Sequence, residues 1–108
     1  MIVVRFKVTC QSDKTEDVRA VLEGVVAPSR AVKGVISFDI GRDIAEPNAF
    51  IATEVFDDRA ALDRQESLAE VATAMHVLES SLIGPPEAII YNIASAEPYG
   101  EDPVALPS

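Results

Sequence analysis

The chain is poor in the side chains that most often carry enzyme chemistry. Its 108 residues include one cysteine, Cys10, one histidine, His76, and no tryptophan. A single cysteine excludes a disulfide within the chain and suits a reducing compartment. One cysteine and one histidine cannot complete a zinc site by themselves, so we expect no bound metal.

Positive charge is scarce as well. Nine basic residues stand against 18 acidic ones, for a formal net charge of −9. Such a surface repels nucleic acid and anionic membranes. No apolar run approaches the ~18 residues of a membrane span, and the start "MIVVRFKV" lacks the layout of a signal peptide. We therefore expect a cytoplasmic protein without nucleic-acid or membrane partners, which leaves small neutral or cationic ligands and other proteins.

The length fits one small domain. The segment "AEPYGEDPVALPS", from Ala96 onward, carries three prolines and little apolar content. We predict a domain over residues 1–96 and an extended tail over residues 97–108.

Hydrophobic periodicity predicts the order β-α-β-β-α-β. The predicted strands are Ile2–Cys10, Val35–Arg42, Ala49–Phe56 and Glu87–Ser95. Capping-box patterns at Asp13/Glu16 and Ser67/Glu70 predict the starts of the first helix and of a long helix that ends at Leu82, and Asp57 or Asp58 caps a short helix between them. Pro28 and Gly34 bracket the end of the first helix. Right-handed crossovers then give a four-stranded antiparallel sheet of order 4-1-3-2, a ferredoxin-like α+β sandwich.

Side chains alternate across a sheet, so each strand divides into two rows. The more apolar row is predicted to lie under the helices, and on the third and fourth strands it includes Ile51, Thr53, Ile89 and Tyr91. The other row mixes charged and aromatic groups. It is too apolar to leave in water and too charged for a dry core.

A second copy of the chain that covers the mixed row reconciles both properties. We therefore predict a homodimer, with Glu54 paired to Arg5 or Lys7 across the strands. The predicted interface residues are Arg5, Phe50, Glu54, Phe56, Ile90 and Asn92.

The stretch from Gly34 to Leu62, "GVISFDIGRDIAEPNAFIATEVFDDRAAL", resembles the antibiotic biosynthesis monooxygenase domain family. Those domains show a glycine, an aromatic residue four positions on, a proline in the hairpin turn, and then an aromatic, a glutamate, an aromatic and "D..AL". The matching positions are Gly34, Phe38, Pro47, Phe50, Glu54, Phe56, Asp58, Ala61 and Leu62.

The resemblance covers about residues 2–95 and implies a dimeric α/β barrel built from two ferredoxin-like sheets placed back to back. Some members oxidise quinols or aromatic polyketides with O₂, without metal or flavin, and others degrade haem. The haem-degrading members carry an Asn on the first strand, a Trp on the short helix and a His on the long helix. This chain lacks that Trp and that Asn, so we expect no haem and no other cofactor.

The resemblance favours a cofactor-independent monooxygenase that acts on a small aromatic quinol-like or polyketide substrate. A substrate pocket between sheet and helices would be lined by Phe6, Phe38, Thr53, Gln65 and Met75. Tyr91 and His76 are the candidate catalytic residues, although Tyr91 could simply be a core residue and His76 a surface one.

The alternative is a non-catalytic dimeric domain that binds a small ligand or acts as a scaffold, with its pocket closed by core packing. Whether the space between sheet and helices is filled or open separates the two hypotheses.

Overall fold

The computed structural model describes residues 1–100. Its strands are β1 (Ile2–Thr9), β2 (Val35–Arg42), β3 (Ala49–Phe56) and β4 (Glu87–Asn92), and its helices are α1 (Thr15–Arg30), α2 (Arg59–Glu66) and α3 (Ala69–Leu78). The four strands form one antiparallel sheet of order β2-β3-β1-β4. The predicted ferredoxin-like topology, including the break in the second helical segment at Ser67, is confirmed.

Helix α1 is held on the sheet by one apolar stripe. Val18, Leu22 and Val25 are buried along it, at the spacing that places them on one face. The predicted capping box does not form, because Lys14 occupies the N-cap position and no side chain caps the helix. Pro28 lies inside the helix, which continues to Arg30.

Helices α2 and α3 differ in how they begin. The Asp58 side chain caps α2 by accepting a hydrogen bond from the Ala61 N–H at 2.9 Å. The predicted capping box of α3 is absent, because the Ser67 hydroxyl donates instead to the Asp63 carbonyl oxygen at 2.8 Å. Helix α3 therefore starts after Leu68, and it ends at Leu78, short of the predicted Leu82.

The pairing register corrects the predicted faces of β3 and β4. Glu54 lies directly opposite Val4 of β1, and Ile90 lies opposite the same Val4 from the other side. Opposed residues of an antiparallel pair point to the same face. Val4 is buried beneath the helices, so Glu54 and Ile90 share the helix-facing side. The prediction that both belong to a dimer interface on the outer face is wrong.

The same pairing register also corrects the predicted faces of other residues on β3 and β4. Phe50, Phe56 and Asn92 lie opposite Val8 and the two sides of Ile2, so they too lie on the helix-facing side and not on the outer face. Thr53 and Tyr91, predicted to lie under the helices, are on the outer face opposite Arg5 and Val3. Arg5 is on the outer face, as predicted, but no ion pair joins it to Glu54 among the described residues.

The two phenylalanines explain why β3 is turned this way. Phe50 is 5% exposed and Phe56 is 0% exposed. A buried phenylalanine removes more apolar surface from water than the alternative residues Ile51 or Val55. Burying both rings therefore outweighs the cost of carrying Glu54 to the same side.

Strand β2 contains an irregularity beside Phe56. Val35 pairs with Phe56 and Ser37 pairs with Val55, which leaves Ile36 as an extra residue on β2. Ile36 is about half exposed, although the period-two pattern places it under the helices. Val35 packs against the core instead, and Phe38 returns to the helix-facing side.

The last strand forms one edge of the sheet and lies beyond the cover of the helices. All six residues of β4 are exposed, on both faces. Residues 97–100 form neither helix nor strand, and the rest of the predicted tail lies outside the described residues, so the boundary at residue 96 stays a prediction. Within residues 1–100, no helix has the length and apolar character required to cross a membrane.

Candidate functional site

A cavity of about 400 Å³ lies between the helix-facing side of the sheet and the three helices. The floor consists of side chains from β1, β2 and β3, with Ala88 and Ile90 of β4 at one side. The helices contribute mainly aliphatic groups, namely Leu22, Val25, Val71, Ala74, Met75 and Leu78. A volume of this size fits a small organic molecule.

Glu54 is the charged group set into the floor of this cavity. Its cross-strand neighbours are Val4 on β1 and Phe38 on β2. The side chain is 8% exposed. Among residues 1–100, no hydrogen bond or ion pair engages its carboxyl group. Its oxygens are not sealed in the core, because no fully buried side-chain oxygen or nitrogen of the described residues lacks a hydrogen-bond partner. A largely buried carboxyl that opens into a cavity without a protein partner is a strong candidate for a functional group.

The environment of Glu54 favours its neutral form. Burial raises the pKa of this carboxyl from its usual value of 4.5 to about 7, and the negative charge of Glu66 adds to the shift. Glu66 is exposed at the end of α2 and also lines the cavity. A carboxyl with a pKa near neutrality can both accept and return a proton under physiological conditions.

Gln65 is the second polar group that lines the cavity from a buried position. It lies on α2 next to Glu66 and is 4% exposed. Its Nε2 donates a hydrogen bond of 3.0 Å to the hydroxyl of Ser29, which is fully buried on α1. This bond fixes the amide, and within the described residues the Oε1 atom accepts no hydrogen bond. A ligand hydroxyl in the cavity could therefore donate to Oε1.

The structure brings together only part of the predicted pocket. Phe6, Phe38, Gln65 and Met75 line the cavity. Thr53 and the candidate catalytic residue Tyr91 do not, because they lie on the outer face of the sheet, where Tyr91 is 46% exposed.

The other candidate catalytic residue also lies outside the cavity. The side chain of His76 is 86% exposed, and its Nδ1 lies 3.9 Å from a carboxylate oxygen of Glu79 on the surface of the helical segment. Because the chain has no other histidine, no imidazole lines the cavity that could serve as an axial ligand to haem.

Three residues predicted for the dimer interface line the cavity instead. They are Phe50, Glu54 and Ile90. Phe56 packs against α2, and Asn92 is exposed on the same side of the sheet; neither lines the cavity. The sequence carried one signal for this arrangement, a glutamate flanked by two phenylalanines at period two, which places all three side chains on one face of the strand.

The fold and the cavity define the class of protein: a ferredoxin-like α+β domain with an open apolar pocket and one buried carboxyl. The profile of the antibiotic biosynthesis monooxygenase family matches residues 1–77, and the chain belongs to this family. The predicted membership is confirmed.

One relative comes from Synechocystis sp. (strain ATCC 27184 / PCC 6803 / Kazusa) and is uncharacterised. It is 32% identical over 96 residues, which cover 89% of this chain and 65% of the relative. The chain thus spans about two thirds of the length of that protein.

Solved structures share the fold. A candidate antibiotic biosynthesis monooxygenase from Nitrosomonas europaea superimposes with a TM-score of 0.82 at 21% identity, over 88% of this chain and 100% of the other. A protein from Mycobacterium tuberculosis gives a TM-score of 0.82 at 19% identity, over 88% of this chain and 96% of the other. A protein from Pseudomonas aeruginosa gives 0.78 at 24% identity, over 86% and 94%. At these identities the likeness supports the fold alone.

Proposed function

We propose that this protein is a cofactor-independent monooxygenase that oxidises a small aromatic quinol-like or polyketide substrate. The observation that carries the proposal is the buried carboxyl of Glu54 in an apolar cavity of about 400 Å³. Membership of the antibiotic biosynthesis monooxygenase family supports the reaction class. A pKa of about 7 suits Glu54 to remove a proton from a phenolic hydroxyl or an activated methylene.

The substrate supplies all the electrons in this reaction. A quinol that loses a proton to Glu54 becomes an electron-rich anion that can reduce O₂. One oxygen atom forms a new C–O bond on the ring and the other leaves as water, so a quinol and O₂ give a hydroxyquinone and H₂O. In an anthrone the same balance converts a ring CH₂ to C=O with release of H₂O. The proton that Glu54 takes up is returned to the departing water.

The residues around Glu54 have defined parts in this proposal. Phe6, Phe38 and Met75 bind the apolar body of the substrate and exclude water, which strengthens the electrostatic effect of the site. Gln65 accepts a hydrogen bond from a substrate hydroxyl through Oε1 and so orients the ring. Tyr91 and His76 have no part in it, because neither lines the cavity.

Oxygen consumption with a panel of hydroquinones and anthrones, measured with a metal chelator present, tests the proposal. We expect turnover by the wild-type protein and a fall in kcat/KM of about 100-fold or more in Glu54→Gln, the usual range for loss of a general base. The fall should be smaller for more acidic quinols, because these ionise without help. His76→Ala serves as the control and should keep full activity.

Two outcomes would contradict the proposal. One is no turnover with any member of the panel. The other is an unchanged rate in Glu54→Gln, which would remove the base from the mechanism.

One observation favours a second candidate, a domain that binds a small ligand without transforming it. Glu54 and Glu66 are the only titratable side chains of the described residues that line the cavity. A site with so few acid and base groups could serve binding alone. Ligand binding without oxygen uptake would favour this candidate. The open cavity argues against the other form of this alternative, a scaffold domain whose pocket is filled by core side chains.

We further propose that the protein is a cytoplasmic homodimer that pairs through the outer face of the sheet. That face carries apolar groups among charged ones, including Val3, Val55, Ile89 and Tyr91 beside Arg5. Ile89 and Tyr91 are 49% and 46% exposed. An apolar patch of this kind on a monomer marks a surface that another protein covers.

A further inference from the structure

The cavity combines two carboxylates with no positive charge. Glu54 lies in the floor and Glu66 lines the same space from the end of α2. Among residues 1–100, no Lys, Arg, His or Asp from any strand or helix lines the cavity. The two acids also repel each other electrostatically, because the charge of Glu66 raises the pKa of Glu54.

We propose that this cavity accepts an aromatic ligand that donates a hydrogen bond, that it rejects carboxylates and phosphates, and that the charge of Glu66 strengthens this rejection of anions. The inference rests on the proposal that the cavity holds the substrate. It narrows the substrate class to neutral phenols, quinols and anthrones without acidic substituents.

The physical reason lies in what a buried anion would meet. An anionic ligand must leave water and enter an apolar space where no cation pairs with it, and burying an unpaired charge is strongly unfavourable in proteins. It would also face the like charge of Glu66, and of Glu54 once that group is ionised. A neutral hydroxyl, by contrast, can donate to the Glu54 carboxylate or to Gln65 Oε1.

Three probes with the same ring system test the inference by isothermal titration calorimetry at pH 8, where Glu54 is ionised. They are 1-naphthol, which is uncharged, 1-naphthoate, an anion, and 1-naphthylmethylamine, a cation. We expect naphthol to bind at least roughly 30-fold more tightly than naphthoate, given the cost of burying an unpaired charge. The cation should also bind more tightly than naphthoate, because the carboxylates of Glu54 and Glu66 attract it.

Variants of Glu66 separate its charge from the rest of the site. In Glu66→Gln the affinity for naphthoate should rise by up to about tenfold, the factor that corresponds to an interaction of one pKa unit, while that for naphthol stays the same. Glu66→Lys should raise it further. Glu70→Gln is the matched control: it removes the same charge from an exposed position on α3 that does not line the cavity, and it should change neither affinity.

Each contrary result has a defined meaning. Naphthoate binding as tightly as naphthol or the cation, an effect of Glu70→Gln equal to that of Glu66→Gln, or no saturable binding of any probe would overturn the inference. Binding is measured without turnover, so selective naphthol binding with no oxygen uptake from any quinol would refute the proposed reaction and leave the inference standing.

Discussion

At the scale of single residues, Glu54 shows how a strand can carry a charge into an apolar layer. Its neighbours at period two on the same face are Ala52 and Phe56, and Phe50 lies one step further along. Burial of the aromatic rings fixes the face, and the carboxyl has to follow. The cost appears as a raised pKa, because burial removes much of the water that would stabilise the charged carboxylate.

This cost predicts a pH dependence of stability. The pKa of Glu54 is raised in the folded protein, to about 7 from 4.5, so the folded state binds the extra proton. The free energy of unfolding should therefore be highest below about pH 4.5, fall between pH 4.5 and 7, and level off above with respect to this group. At 1.36 kcal/mol per pKa unit, the loss amounts to about 3 kcal/mol at most.

Comparison with Glu54→Gln isolates this contribution. The amide does not ionise, so the difference in free energy of unfolding between variant and wild type should shift in favour of the variant as the pH rises to 7. Urea unfolding from pH 4.5 to 8.5 measures the difference. If it stays constant over this range, Glu54 does not have a raised pKa.

The charge of Glu66 should also affect the pH dependence of the reaction. If Glu54 is the base, kcat/KM should rise with pH and reach its half-maximal value near pH 7. Glu66→Gln removes the smaller of the two causes of the raised pKa, so the half-maximal point should move to lower pH but stay above the usual range for a glutamate. Glu70→Gln should leave the profile in place. A profile that is the same in all three proteins would show that the charge of Glu66 does not raise the pKa of Glu54, and a wild-type profile without a half-maximal point near pH 7 would exclude Glu54 as the ionising group.

At the scale of elements, the sequence predicted where the strands lie better than which way they face. In β3 the two rows, Phe50 with Glu54 and Ile51 with Thr53, are similarly apolar. Grouping the charge of Glu54 with those of Arg5 and Lys7 assigned this row of β3 to the outer face, although the aromatic rings have more surface to bury under the helices. The order and bounds of β2 and β3 were predicted correctly because turn residues delimit them clearly.

The candidate site, like the strand faces, was predicted only in part from the sequence. Phe6, Phe38 and Met75 follow from strand and helix faces that were assigned correctly at these positions. Periodicity places Glu54 on the same face as Phe50 and Phe56 but does not show which side of the sheet that face takes, since this depends on the register with β1, a tertiary property. A charged residue between two aromatic residues on one face is the local feature that deserves weight in similar sequences.

Gly34 lies between α1 and β2, at the point where the chain contacts α2 most closely. Its φ is +90°, and a Cβ atom there would lie 2.6 Å from the Cβ of Ala61 on α2. Arg64 on the same helix donates to the carbonyl oxygen of Lys33 at 2.7 Å. An alanine at position 34 would therefore combine backbone strain with a clash, and push α2 away from the sheet.

We expect Gly34→Ala to lower the free energy of unfolding by about 2 kcal/mol or more, since a positive φ alone costs about 1–2 kcal/mol for a residue with a Cβ. Gly41→Ala is the control, because a Cβ there meets nothing within 4 Å, and its effect should stay within about 0.5 kcal/mol. Urea unfolding of both variants measures the contrast. Equal stabilities would show that the junction adapts to the extra atom.

At the scale of the whole molecule, one sheet serves two purposes. The helix-facing side builds the cavity, and the outer side carries the surface through which we propose that two chains pair. The order β2-β3-β1-β4 was predictable because right-handed crossovers leave few ways to connect these strands. Which side chains lie on each side of the sheet was not predictable, because a shift of one residue in the register of a strand exchanges its two rows of side chains.

The exchange of faces changes which substitutions should separate a dimer. Ile89 lies on the outer face opposite Arg5 and is about half exposed, so Ile89→Asp should leave the fold intact and replace apolar surface of the interface with a carboxylate whose hydration is lost on pairing. Phe56 is fully buried under the helices, so Phe56→Asp should unfold the chain instead. Ile44→Asp makes the same replacement at a fully exposed position between β2 and β3 and should change neither the dimer nor the fold.

Light scattering at micromolar concentration, with circular dichroism to check folding, should show a dimer for the wild type and Ile44→Asp and a folded monomer for Ile89→Asp. A monomeric wild type, or a dimer that survives Ile89→Asp, would show that the outer face is not the interface.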